Sequence, residues 1–216
     1  TLFFLILFSL IINSFVFRNI VIVNIFLTFF FISLLITNYG LNTIKNLNLI
    51  QNIRQEGPRI HSIKKNTPTM GGIFFILPFL LLLLVISNLL NSSEILLLFF
   101  FTLGFFIIGF LDDYLSIKKR KNTGLKAKEK FFLQSLISIV FIAIAYQSNY
   151  ISPFISLSSD WAINANILIL PICFITLVGL SNAVNLTDGL DGLAAGCSSI
   201  VFCGLGTEIL IKGQKE

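Results

Sequence analysis

Charge is the scarcest property of this sequence: Asp, Glu, Lys and Arg make up only 12% of its 216 residues. Average soluble domains carry about 25%. With 56% apolar residues and a mean hydropathy of +0.93, this shortage excludes a water-soluble globule and points to a bilayer protein. Cysteine is also scarce. Cys173, Cys197 and Cys203 are odd in number and have no close Cys/His spacing, so neither a disulfide framework nor a zinc site is supported. Histidine occurs once, at His61, in a loop where a hydrogen-bonded surface group is the ordinary role.

What is present instead is long apolar runs, near residues 20 to 37, 71 to 90, 95 to 111, 131 to 147, 163 to 180 and 193 to 211. Each is long enough to cross a bilayer as a helix. The runs are continuously apolar and lack the period-two alternation of lipid-embedded barrel strands, so helices follow. Backbone groups in lipid must be satisfied within their own segment, which favours the same conclusion. The expected fold class is all-α: a polytopic transmembrane helical bundle of about six spans, forming one membrane domain over residues 1 to 216. Thr1 to Ile12 is too short for a span and lacks the basic start and cleavage site of a signal peptide. It reads as an interfacial or truncated helix. The opening on Thr1 and the abrupt close at Glu216 suggest a chain truncated at its C-terminus and also at its N-terminus.

Basic residues set the orientation. Lys45, Arg54, Arg59, Lys64 and Lys65 lie in the first long loop, and Lys118, Lys119, Arg120, Lys121, Lys126, Lys128 and Lys130 in the third. The connections 91 to 94 and 148 to 162 hold no Lys or Arg. The positive-inside rule places the two basic loops in the cytoplasm, and by parity the loop 181 to 192 as well. The net charge of +5 does not point to nucleic acid, because the basic groups are juxtamembrane and carry no interleaved aromatic platform. Attraction to anionic lipid headgroups accounts for them, and neutralisation of a phosphorylated substrate at the membrane surface is the sharper alternative.

Two acidic pairs, Asp112 with Asp113 and Asp188 with Asp191, fall at these same membrane borders, where ionisable groups are costly and point to function. Neighbours on a helix diverge by about 100°, so Asp112 and Asp113 would serve different partners rather than chelate one ion symmetrically. A helix C-terminus is also a poor site for negative charge unless a cation offsets it. Two solvated acids starting a loop remain the plain alternative. Asp188 and Asp191 share a helical face, with Gly189 and Gly192 leaving room for a ligand; a cap with Asp188 at the N-cap and Asp191 at N3 of the next span explains the spacing equally. Before the second span, Pro68 blocks early helix and Gly71-Gly72 would bare amides at a helix N-terminus, an anion site or simply a turn. Carboxylates, Asn185, hydroxyls and lysines on one face suit Mg²⁺ and phosphates.

Four motifs follow one another along the chain: Thr67-Pro68-Thr69-Met70-Gly71-Gly72, Gly109-Phe110-Leu111-Asp112-Asp113-Tyr114, Lys128-Glu129-Lys130-Phe131-Phe132-Leu133-Gln134, and Asn182 through Ala194. Together they resemble the polyprenyl-phosphate N-acetylhexosamine-1-phosphate transferases, glycosyltransferase family 4, and within it the muramoyl-pentapeptide branch. The resemblance implies Mg²⁺-dependent transfer of phospho-MurNAc-pentapeptide from UDP-MurNAc-pentapeptide to undecaprenyl phosphate, giving lipid I and UMP. It implies catalytic roles for Asp113, deprotonating or positioning the lipid phosphate, and Asp112, holding Mg²⁺ or the diphosphate, with Asn185 as a second metal-site residue. Asp188, Gly189, Leu190 and Asp191 would form the uridine and diphosphate pocket, Lys64 and Thr69 its rim, and Lys130 would neutralise phosphate. Membrane lipids are implied as surroundings, nucleic acid is not a partner, and a homodimer is left open.

Three departures accompany the resemblance. Asn66 stands where the family usually has Gly, Ser116 occupies a position often basic, and the family's usual ten spans, further Asp and His-rich loop imply that this chain is a fragment. The alternatives are the N-acetylglucosamine-1-phosphate branch, and an inactive remnant or non-catalytic polyprenyl-phosphate-binding membrane protein. A transporter is less suited, since its ionisable groups should sit near the midplane.

Overall fold

The computed structural model describes residues 20–46, 69–119, 124–156, 161–188 and 192–212. Helices occupy all six predicted positions: α1 (Ile20–Asn46), α2 (Ile73–Leu90), α3 (Ser93–Lys119), α4 (Ala127–Gln147), α5 (Ile169–Thr187) and α6 (Leu193–Lys212). Among the described residues, four segments are long and apolar enough to cross a membrane, Ile73–Leu90, Ser93–Lys119, Ala127–Gln147 and Asn166–Thr187, with Leu193–Glu208 a shorter apolar helix. The segment Thr1 to Ile12 lies outside the described residues. The chain forms two compact units, Ser33–Gly179 and a second built from Thr1–Ile32 with Leu180–Glu216.

In the larger unit, α2, α3 and α4 run antiparallel in sequence. The α2–α3 reversal is encoded by Asn91, which adopts a left-handed conformation (φ 48°) that Asn tolerates and that ends the helix. The Ser92 amide donates to Ser87 O at 3.0 Å, and the Ser92 hydroxyl accepts from Ile95 N at 3.3 Å, capping α3. Only two residues, Asn91 and Ser92, separate the two helices, so they must be neighbours. α3 and α4 interlock through aromatic and small residues: the Phe101 and Phe141 rings lie 4.3 Å apart between centroids. Gly104 takes the branched end of Ile137 so closely that a Cβ there would stand 2.9 Å from its Cδ1. Small residues at helix contacts are what lipid-embedded helices need, since tails compete with side chains for apolar contact.

The outward surfaces of these helices are apolar, with Leu81, Leu89, Phe100 and Ile139 among many exposed large side chains. Such a surface is stable only in a bilayer. The hydroxyls of Ser87 and Thr176 turn back onto their own helices, Ser87 Oγ to Leu84 O at 3.0 Å and Thr176 Oγ1 to Ile172 O at 2.8 Å, which lowers their cost in lipid; those of Ser135 and Ser138 on α4 are buried without a partner among the described residues.

Four details differ from the sequence expectation. α3 continues past Asp112 and Asp113 to Lys119, so the acidic pair lies inside the helix, two turns before its end. The connection 148 to 162 contains a two-stranded antiparallel ribbon, β1 (Phe154–Ser156) and β2 (Ala162–Asn164). Its second strand takes the start of the run expected to be helical from 163. α5 begins after a 3₁₀ turn at Asn166–Leu168 and runs on to Thr187, so Ser181, Asn182 and Asn185 are helical rather than loop residues. Three isolated polar side chains do not break a helix whose backbone bonds are otherwise continuous.

In the smaller unit, the end of α5 and α6 are joined by a short connection. The Asp188 amide donates to Val184 O at 3.1 Å, extending the α5 ladder, and α6 starts only at Leu193. Asp188 is therefore at the C-terminal end of α5 and not the N-cap of the next span. Thr187 Oγ1 donates to Ala183 O at 2.8 Å.

Candidate active site

The 27 residues of α3 span about 40 Å, against a hydrocarbon core of about 30 Å. The charge-free stretch ends at Leu111, so Asp112 and Asp113 sit where the helix leaves the apolar layer. Their side chains diverge as adjacent helical positions must, and each is held by a different part of the chain.

Asp113 faces the entry to α2. Its Oδ2 accepts the Met70 amide at 3.2 Å, and the Thr69 side chain hydrogen-bonds the same carboxylate. Met70 reaches this geometry by adopting φ 65°, a left-handed conformation unusual for a side chain with a Cβ. The following amides begin the helix conventionally, with Ile73 N on Met70 O at 3.3 Å and Ile76 N on Gly72 O at 2.9 Å. The amide of the Thr-Met-Gly-Gly segment that meets an anion is that of Met70, not those of Gly71 and Gly72 on which the sequence expectation rested. In this structure the anion is the chain's own carboxylate.

Asp112 faces the α3–α4 connection. Its Oδ1 accepts the Leu125 amide at 2.9 Å and its Oδ2 pairs with Lys130 Nζ at 2.9 Å. The Lys130 and Asp112 side chains are 17% and 27% exposed, so the pair is only partly screened by solvent. Lys130 lies in the first turns of α4, where a cation opposes the helix dipole; Asp112 and the nearby Glu129, which accepts the Lys126 amide at 2.9 Å, offset that cost. Gly124 is buried directly on this pair. A Cβ there would collide with the backbone carbonyl of Asp112, and Lys119 Nζ, two turns further along α3, donates to Gly124 O at 2.8 Å. Close approach of the two backbones, and not an unusual φ, is what requires glycine here.

The structure thus brings together Thr69, Asp112, Asp113 and Lys130 of the residues singled out in the sequence. Asn185 lies on α5 and Asp188 just after it, both in the smaller unit. Lys64, Gly189, Leu190 and Asp191 lie outside the described residues, as do His61 and Lys65. Sequence reasoning missed the parts played by Met70, Lys119, Gly124 and the Leu125 amide. Gly124 carried a usable signal, as a lone glycine within a run of Lys, Asn and Thr; the left-handed Met70 carried none.

Chemically, the larger unit offers an oriented carboxylate, Asp113, beside an ion pair whose lysine could be shared with an incoming phosphate. Carboxylate oxygens are hard donors of the kind Mg²⁺ takes, commonly one or two from protein with phosphate and water completing the shell. Among the described residues no three His, Cys, Asp or Glu group together.

Comparison with known proteins places these elements. Residues 64–76, which include Thr69 and Met70, match a motif described as phospho-N-acetylmuramoyl-pentapeptide-transferase signature 1. Residues 95–216 match the model of glycosyl transferase family 4. The chain is 69% identical over its whole length to a phospho-N-acetylmuramoyl-pentapeptide-transferase of Prochlorococcus marinus (strain MIT 9515), covering 60% of that protein. It is 63% identical over 87% of its length to the protein of that name from strain MIT 9301, covering 52% of it. The corresponding Synechococcus sp. (strain CC9311) protein is 38% identical over 85% of the chain and is covered over 50% of its own length. The chain therefore spans between about half and 60% of the curated relatives it matches. With its matched region running from α3 through α6, and with apolar helices that only a bilayer accommodates, the chain is an integral membrane protein that belongs to glycosyl transferase family 4.

Proposed function

We propose that the protein to which this chain belongs transfers phospho-MurNAc-pentapeptide from its UDP carrier to undecaprenyl phosphate, releasing UMP and forming lipid I, the first membrane step of peptidoglycan synthesis. The observation that carries this is the contact between the signature segment and the acidic pair: Thr69 and Met70 hold Asp113, one residue from the Asp112–Lys130 pair. Phosphoryl transfer asks a protein mainly for positioning and charge neutralisation. Asp113, fixed by two donors, is suited to take the proton of the lipid phosphate or to orient it. Lys130 is suited to follow phosphate charge while Asp112 holds it in place and ties the α3–α4 connection down. Mg²⁺ is the proposed cofactor, on the donor chemistry of Asp112 and Asp113 and, by the resemblance, of Asn185; when bound it would neutralise diphosphate oxygens. Asp188, Gly189, Leu190 and Asp191, with Lys64 and Thr69, are proposed for the uridine and diphosphate side. The bacterial inner membrane with the site facing the cytoplasm is proposed from the basic loops.

The test is UMP release by the full-length protein in lipid, with UDP-MurNAc-pentapeptide and undecaprenyl phosphate. Asp113→Asn should lower turnover by roughly 10²–10⁴-fold, the worth of a positioned general base. Near-normal turnover by that variant would remove Asp113 from the chemistry. UMP release with UDP-N-acetylglucosamine in place of the muramoyl substrate would shift the assignment to the other sugar branch.

A further inference from the structure

The ribbon β1–β2 stands at the end of α4 opposite the candidate site, and nothing in the chemistry above uses it. Ala165 N donates to Pro153 O at 2.9 Å and closes its base. Its register pairs Phe154 with Asn164, Ile155 with Ile163 and Ser156 with Ala162. One face therefore carries Ile155 and Ile163, with Trp161 two residues before Ile163, while the other mixes Phe154 and Ala162 with Ser156 and Asn164. Large apolar groups on this ribbon are far from buried: Trp161 is 73% exposed, Phe154 55% and Ile163 53%.

Its surroundings say what covers it. The ribbon is spliced directly between two spans, and the ends of those spans are themselves outward-facing and apolar at Ile144, Ile167 and Leu168. The exposed ribbon side chains continue that lipid-facing surface. Asp160 is the sole charged residue between Lys130 and Asp188 in the sequence, so electrostatic docking has a single carboxylate to act through and no basic group to hold anionic lipid. The chain has four Tyr and one Trp; of these five, Tyr146, Tyr150 and Trp161 gather at this border. Amphipathic rings concentrate in this way at the membrane–water interface.

We infer that the β1–β2 ribbon is an interfacial anchor that lies in the headgroup layer on the side of the bilayer opposite the candidate site, with Trp161 and Ile163 inserted toward the acyl chains. Its attachment is apolar and independent of anionic lipid. It holds the ends of α4 and α5 at a fixed depth, and so indirectly the level at which the far end of α4 presents Lys130.

The full-length protein, one copy per nanodisc of phosphatidylcholine and phosphatidylglycerol, tests this. Trp161 emission is isolated as the difference between the parent and Trp161→Phe, so other tryptophans do not matter. The expected result is emission to the blue of aqueous tryptophan, strong quenching by lipids brominated near the glycerol end, weaker quenching by lipids brominated near the chain terminus, little quenching by iodide, and no change with added salt or on removing phosphatidylglycerol. Iodide quenching as strong as for free tryptophan would overturn the anchor, since it would leave the ribbon in water. So would protection from both iodide and bromolipid, which would mean that protein covers it, and so would stronger quenching from the chain terminus than from the glycerol end. A nitroxide on Ile163→Cys gives the same decision independently: greater collision with oxygen than with a water-soluble nickel complex is expected, and the reverse overturns the anchor.

Discussion

At the scale of single residues, Asp112 and Asp113 show how two identical side chains one position apart acquire different work. Asp113 is held by the α2 entry and Asp112 by the α3–α4 connection, so a change at either should be felt in a different place. Gly124→Ala should destabilise the protein by about 1–3 kcal/mol, because the Asp112 carbonyl is backbone and cannot swing aside; thermal unfolding in detergent checks this, and an unchanged midpoint would contradict the close approach. Met70 offers a sharper contrast. Its φ of 65° is costly for a β-branched side chain and free for glycine, so Met70→Val should lose roughly 1–2 kcal/mol more stability than Met70→Gly in the same assay. The Asp112–Asp113 pair stood out in the sequence, because charge at a membrane border is rare; Asp191 of the second pair lies outside the described residues. Their partners were legible only in part. Lys130 could be named as a phosphate ligand, but its pairing with Asp112 depends on how α4 starts relative to α3, and the Met70 and Leu125 amides are backbone groups that every residue type shares.

At the scale of elements, apolar run length identified six helices, while their ends were missed wherever polar residues continue a helix. Asp112 to Lys119 are polar enough to read as loop, yet the helix continues through them, its acidic pair satisfied by the Met70 and Leu125 amides and Lys130. Ser181, Asn182 and Asn185 misled in the same way at the end of α5. The ribbon was invisible because three-residue strands are too short to register a period. Contact between α3 and α4 was equally unannounced, since Gly104 looks like any glycine in an apolar run. Gly104→Leu should overpack this contact and cost about 1–3 kcal/mol. Ile137→Ala should recover much of that loss when combined with it, and strict additivity of the two changes in a double-mutant cycle would show that the residues do not touch.

At the scale of the whole molecule, the family assignment and the bilayer setting account for why so little of this protein is polar and why what is polar is concentrated at helix ends. If Mg²⁺ completes the proposed site, chelation by EDTA should abolish UMP release by the full-length protein and added Mg²⁺ should restore it; turnover unaffected by exhaustive chelation would remove the metal from the proposal. The α2–α3 hairpin carries one last implication. Met70 lies 20 residues before Leu90 and Asp113 lies 20 residues after Ser93, so the two arms on either side of the Asn91 turn are matched in length and their far ends meet at the Met70–Asp113 hydrogen bond. The hairpin acts as a folded ruler. Because each helical residue adds about 1.5 Å and 100°, removing one residue from either arm would leave every lipid-facing side chain tolerable to the bilayer and still carry the carboxylate out of reach of its amide.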